Sequence, residues 1–123
     1  GHVEGRCDEL ADAVAALDGP TLVLMHHPIR SHSAHHWFRL EHGPAAETDL
    51  AATGQPVVVL SGHTHEVYDA SLAGGRVRLL GGPGVFYALR HRGREWTFMP
   101  TGTGAQLVEL ADDGGVTVQR VYA

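Results

Sequence analysis

Two short apolar runs, Thr21-Leu22-Val23-Leu24-Met25 and Val57-Val58-Val59-Leu60-Ser61, constrain this chain more than any other feature. Both are rich in strand formers and neither alternates with polar residues, the pattern of a strand covered on both faces inside a parallel sheet. Breakers bound them: Gly19-Pro20 and Pro28 around the first, Gly54 and Pro56 before the second. Between them, Pro44–Thr53 reads as a short helix with Pro44 in its first turn, Leu50 apolar and Gly54 as the left-handed residue past its end. Strand, helix and strand in this order predict a βαβ unit with parallel strands. Upstream, Asp8–Leu17 places Leu10, Ala13, Val14 and Leu17 at helical spacing, with Asp8 as N-cap, and predicts an amphipathic helix packed on the sheet.

After Ser61 the pattern turns to alternation. Val67–Leu72, the turn Ala73-Gly74-Gly75 and Arg76–Leu80 read as a hairpin. Val85–Leu89, Glu95–Met99, Gln106–Leu110 and Val116–Tyr122 follow as short strands between Gly-rich turns. The expectation is an α/β fold with a short parallel βαβ start followed by antiparallel strands, one unit over residues 1–123. With 43% hydrophobic and 19% charged residues, that length is enough to close a core. Ile29–His42 is polar, His-rich and without period, so a long surface loop bordering a site is expected there.

Composition removes several function classes. A net charge of −5 leaves no electrostatic footprint of a nucleic-acid binder. The single cysteine, Cys7, excludes an internal disulfide framework and a Cys-rich zinc motif, and reads as a small apolar helix residue. No window approaches 18 consecutive apolar residues and Gly1–Cys7 lacks a signal-peptide pattern, so a cytoplasmic chain without membrane spans is expected. The anomaly is histidine: ten residues against nine Arg and no Lys, spread from His2 to His91. A metal site is one explanation, and partly buried or surface histidines are the other.

The histidines that matter stand at the carboxyl ends of the two apolar runs, where open parallel sheets bind ligands. Gly62-His63-Thr64-His65 follows the second run. In extended chain, residues i and i+2 point to one side with Cα atoms about 6.5 Å apart. Both rings would then converge on one metal, or on each of two metals about 3.5–4 Å apart. Gly62 would leave room for close backbone approach. His26-His27-Pro28 follows the first run. His26 still belongs to the strand end and is the better ligand, whereas His27, before Pro28, is expected to point to the other face and to contact substrate or donate an outer hydrogen bond. Each histidine motif alone is more often a satisfied structural residue at a strand end, and only jointly do they point to a site.

Strand-His26-His27-Pro28, a helix, then strand-Gly62-His63-Thr64-His65 resembles the last two sequence blocks of the calcineurin-like metallophosphoesterases, and the likeness runs over most of the chain. Within that family it is similar to the bacterial cyclic-nucleotide phosphodiesterase branch, with Ile29 where a second proline is common. The resemblance implies the C-terminal half of a four-layer α/β/β/α metallophosphoesterase sandwich, a hydrolase with a dinuclear metal centre at the sheet's edge. It implies His26 and His63 on one metal and His65 on the other, with Mn, Fe or Zn as the divalent ions. The implied substrate is a small phosphate ester, a cyclic nucleotide in the branch named, attacked in line by a metal-activated water. Neutral imidazole ligands compete with protonation, so activity should fail below about pH 6.

The sequence also departs from the family. The earlier blocks Asp-x-His, Gly-Asp-x-x-Asp and Gly-Asn-His-Asp or Glu, which supply the remaining ligands and the bridging carboxylate, do not occur in these 123 residues. Asp49, Glu66 and Asp69 are nearest in sequence, and none stands at a strand end beside His26. The chain is therefore expected to supply only part of the site, to need a missing N-terminal half or self-association, and to be nearly inactive alone; no residue takes an assigned catalytic role. The alternative is a three-histidine mononuclear metal-binding module, His26, His63 and His65 with an open fourth position and no phosphoesterase activity. A third reading is a structural or interaction domain. The loop Ser31–His42, with His32, His35, His36 and Trp37, is either a substrate rim or a solvated loop. Thr101–Gly104 reads as a plain turn, since no helix follows it, and Arg90, Arg92 and Arg94 read as a charged hairpin tip.

Overall fold

A computed structural model describes residues 7–123; the expected cap by Asp8 and the apolar role of Cys7 rest on side chains that lie outside the described residues. Helix α1 spans Cys7–Ala15, strand β1 Thr21–Met25, helix α2 Gly43–Ala52 and strand β2 Val57–Ser61. The remaining strands are β3 (Tyr68–Leu72), β4 (Val77–Gly81), β5 (Ala88–Arg92), β6 (Glu95–Met99), β7 (Gly104–Leu110) and β8 (Val116–Tyr122). Mixed α/β content, with few helices and mostly strands, agrees with the sequence reading at that level.

The main sheet has the order β1-β2-β4-β3. β1 and β2 pair in parallel with Thr21 opposite Val57 and Met25 opposite Ser61, as the βαβ pattern requires. β4 joins the other edge of β2 in parallel, and β3 folds back antiparallel on β4. One face of the sheet, with Val57, Val59, Val77 and Leu79, packs on Val14 of α1 and on Ala46 and Leu50 of α2. Full burial of these side chains is the main favourable term, roughly 1.5–3 kcal/mol for each Val or Leu. Pro44 lies in the first turn of α2, and Gly54 past its end takes φ 71°, as expected. Gly43 is obligatory, because a Cβ there would collide with the Ile29 carbonyl.

The second half is antiparallel, as predicted, but it forms separate two-stranded ribbons, β5-β6 and β7-β8. The β7–β8 ribbon meets the second face of the main sheet, where Arg78 Nη1 donates to the Val116 carbonyl at 3.0 Å.

Several expectations are corrected. β1 is an edge strand covered on one face: Leu24 is 72% and Leu22 45% exposed. Apolar composition reports what a strand can bury, and among the described residues these two side chains are left uncovered. Val85–Leu89 is not the strand; pairing with Glu95–Met99 places it at Ala88–Arg92, leaving Val85 and Phe86 exposed. β7 begins earlier than Gln106, at Gly104, which pairs with Tyr122. The segment Ile29–His42 is not simply a surface loop. Ile29, Phe38 and Leu40 are buried and His36–Phe38 forms a 3₁₀ turn, so spaced apolar residues pin an otherwise polar stretch.

Candidate functional site

β1 and β2 lie side by side and run the same way, so their carboxyl ends open at one edge. The Gly62 amide donates to the His26 carbonyl at 3.2 Å, carrying the parallel ladder one step beyond the strands. This brings three imidazoles together. Ring centroids are 4.7 Å apart for His26 and His63, 4.1 Å for His27 and His63, and 5.1 Å for His26 and His27. His65 stands aside, its ring against Tyr87 at 4.3 Å, but it lines the same cleft of about 330 Å³ as His26 and His63.

The expected extended geometry of His63 and His65 is overturned. Both are left-handed, with φ 58° and 49°, a conformation rare outside glycine although histidine tolerates it better than most residues. Thr64 N–H closes a three-residue turn on the Gly62 carbonyl at 2.6 Å, centred on His63. Such turns carry backbone strain of order 1–3 kcal/mol per residue and gather at functional sites. Gly62 is not the point of close approach: a Cβ there would meet nothing within 4 Å. That role falls to Gly84, whose Cβ would lie 2.8 Å from His65 Nδ1 and collide with the Tyr87 carbonyl.

Carbonyls hold the loop and fix its tautomers. His63 Nε2 lies 3.0 Å from the Trp37 carbonyl, and His65 Nδ1 lies 3.2 Å from the Tyr87 carbonyl. A carbonyl only accepts, so these nitrogens carry the protons, and His63 Nδ1 and His65 Nε2 keep their lone pairs. His91 Nε2 likewise donates to the Thr64 carbonyl at 2.9 Å, and the Leu89 amide donates to the His65 carbonyl at 3.3 Å. The β5–β6 hairpin therefore braces the strained turn.

His27 was expected on the opposite face, but it is 8% exposed and its ring is nearer to His63 than that of His26. Its Nε2 is buried without a hydrogen-bond partner among the described residues. Burial pushes the His27 imidazole below its usual range, reinforced by the neighbouring His63 and His26. Burial also lowers His63, while its hydrogen bond to Trp37 opposes the shift. Both rings are held neutral near pH 7. Of the other histidines in the loop, His35 accepts the Trp37 amide on Nδ1 and His32 lies against Tyr68, so neither joins the cleft, whereas Trp37 does.

Among the described residues, no group of three His, Cys, Asp or Glu side chains is arranged to hold a metal ion. In donor type and tautomer the fit is nevertheless good: lone pairs are available on His63 and His65, and the opposite nitrogens are fixed by carbonyls, as is usual around metal-binding histidines. Among the described residues lining the cleft there is no carboxylate. Asp69 is engaged instead with Arg78, at 3.0 and 2.7 Å.

Sequence reasoning missed His91, Gly84 and the aromatic side chains Tyr87, Trp96 and Phe98, which border the cleft from the β5–β6 hairpin and the segment leading into it. Alternating aromatics in Glu95–Met99 were visible, but nothing local aims a hairpin at a loop some thirty residues earlier. No family model matches this chain, and none of the curated proteins matches it either.

Proposed function

We propose that this chain supplies the histidine-bearing part of a metal-dependent phosphoesterase of the calcineurin-like kind, acting on phosphodiesters or phosphomonoesters. The observation that carries this reading is the delivery of His26 and His63, rings 4.7 Å apart, from the ends of adjacent parallel strands into a cleft shared with His65. In the same reading the sheet β1-β2-β4-β3 belongs to the C-terminal half of a four-layer sandwich.

When bound, divalent metal ions would polarise the phosphoryl oxygens and activate a water at neutral pH. The chain's own residues prepare for this. His63 and His65 offer lone pairs whose direction is fixed by the Trp37 and Tyr87 carbonyls. Buried neutral His27 adds no positive charge beside them. The aromatic lining lowers the local dielectric, so interactions of the imidazoles with charged ligands are stronger than they would be in water.

A second reading is favoured by the lack of a carboxylate among the described lining residues: a mononuclear site held by His26, His63 and His65 without phosphoesterase chemistry. Calorimetric titration with Mn²⁺ and Zn²⁺, followed by orthophosphate, separates the two. Both readings expect metal uptake that is lost in His63→Ala with the fold kept by circular dichroism, and the phosphoesterase reading alone expects orthophosphate binding that requires the metal. Metal binding without orthophosphate binding selects the mononuclear module. A folded chain that takes up neither metal removes the support for both.

A further inference from the structure

A second cavity, of about 300 Å³, shares no residue with the histidine cleft. It is lined by Arg30 and Ser31 from the start of the connection between β1 and α2, by Arg39 near its end, and by Glu47 of α2. The charges in it do not cancel. Glu47 takes Arg30 Nε and Nη2 on its two carboxylate oxygens, at 2.7 and 2.5 Å, which leaves the Arg30 Nη1 hydrogens to another acceptor. Arg39 is exposed, and its guanidinium has no hydrogen-bond or ion-pair partner among the described residues. Ser31 Oγ accepts the Ser33 amide at 3.1 Å and keeps its own hydrogen to donate. Two guanidiniums against one carboxylate leave positive charge in excess, in a chain whose net charge is −5.

The first turn of α2 adds to that excess. Pro44 stands in the cavity wall, the N-cap His42 makes no side-chain cap hydrogen bond and no acidic residue lies in the turn, so nothing there offsets the positive end of the helix dipole. The rest of the lining is apolar, with Ile29 and Leu40 both buried. One excess positive charge matches a monoanion, whereas a dianion would face Glu47 and turn the cavity negative. A planar guanidinium fork suits a carboxylate, and the apolar lining favours a short hydrocarbon tail over water. The volume is at the small end for ligand sites, room for a small molecule but not for a helix or a peptide segment.

We propose that this cavity is an effector site for a short-chain aliphatic monocarboxylate, held by Arg39 and Arg30 Nη1 with its hydrocarbon end against Ile29, Leu40 and Pro44. The bound carboxylate ties the two ends of the segment Arg30–Arg39 together. That segment carries the Trp37 carbonyl, 3.0 Å from His63 Nε2, so an occupied site steadies one wall of the histidine cleft. Binding involves neither metal nor phosphate, and so goes beyond the phosphoesterase reading.

NMR titration of the metal-free chain with butyrate, 1-butanol and sulfate tests it. Butyrate should shift the Ser31, Arg39 and Leu40 amides saturably. The alcohol keeps the tail without the charge and sulfate is a dianion without a tail, so each should bind about tenfold or more weakly than butyrate. Arg39→Gln should weaken butyrate by a similar factor, while Arg94→Gln, which removes the same charge at an exposed position outside the cavity, should not. The Phe38 and Arg39 amides donate to the His35 and His36 carbonyls, and opening of this turn would release the ligand. Their hydrogen exchange should therefore slow about tenfold at about ten times the butyrate dissociation constant. Butyrate no tighter than 1-butanol or sulfate, equal losses in Arg39→Gln and Arg94→Gln, or exchange rates that butyrate leaves unchanged would each overturn the proposal. Failure of the phosphoesterase reading leaves butyrate binding intact, and failure of this site leaves metal binding at the histidines intact.

Discussion

Gly84 sets the position of His65 from behind. With no side chain it lets the His65 ring and the Tyr87 carbonyl meet, and a methyl group at this point would sit 2.8 Å from His65 Nδ1. Gly84→Ala should therefore break the His65–Tyr87 hydrogen bond and release the ring from its tautomer. Outer hydrogen bonds of this type typically carry a factor of 10–100 in metal affinity, so at least about a tenfold loss of Zn²⁺ affinity is expected by calorimetry. Gly62→Ala, which meets nothing within 4 Å, is the contrast and should leave affinity nearly unchanged. Equal affinity in both variants would mean that Gly84 does not hold His65 in a binding pose. The sequence pointed to the wrong glycine because it assumed extended chain through His63-Thr64-His65. That His26, His63 and His65 would share one cleft was legible from spacing; the ring directions of His63 and His65 were not, since carbonyls 26 and 22 residues away decide them.

Among the elements, the β3–β4 hairpin carries a charge pair with a defined pH signature. Asp69 accepts from Arg78 Nε and Nη2, with Arg120 farther off at 3.9 Å, and the Arg78 hydrogen bonds hold the Asp69 carboxyl below its usual range. A carboxyl depressed in the fold stabilises above its unfolded pKa of 3.8 and loses that contribution as pH falls through the lower folded value. Because both partners are partly exposed, screening limits the effect to roughly 0.5–1 kcal/mol. Asp69→Asn should lower the unfolding free energy from urea titration at pH 7 by that amount and show no difference from wild type well below pH 3.8. An equal deficit at every pH would assign the loss to packing instead of charge. At this scale the chain reads well where a run is both apolar and bounded by Pro or Gly. β1, β2, β6 and β8 fall on their expected residues for that reason. β5 does not, because Val85, Phe86 and Tyr87 have strand propensity but no partner strand, and the ladder opposite Glu95–Met99 begins only at Ala88. Propensity is local, whereas register is chosen by the neighbour.

Across the whole molecule the two faces of the main sheet are unequal. Helices α1 and α2 close one face; on the other, the β1 end carries Leu22 and Leu24 in the open, beside an edge to which no strand among the described residues is paired. An unpaired edge next to exposed leucines is an invitation to further pairing, and β1 has none of the usual protection by charge or proline within its five residues. Among the described residues no helix is long and apolar enough to cross a membrane. Sedimentation velocity should therefore find concentration-dependent association of the chain, and Leu24→Arg, a charge placed on that face, should shift it toward the 13.1 kDa monomer. The substitution lies at a 72% exposed position, so the fold should survive it. If Leu24→Arg associates as strongly as wild type, the contact lies elsewhere, with the exposed Val121 and Tyr122 of β8 next to be tested. A wild-type monomer at all concentrations would instead mean that one sheet face is sufficient for this fold, and the exposed leucines of β1 would lose their meaning as a covered surface.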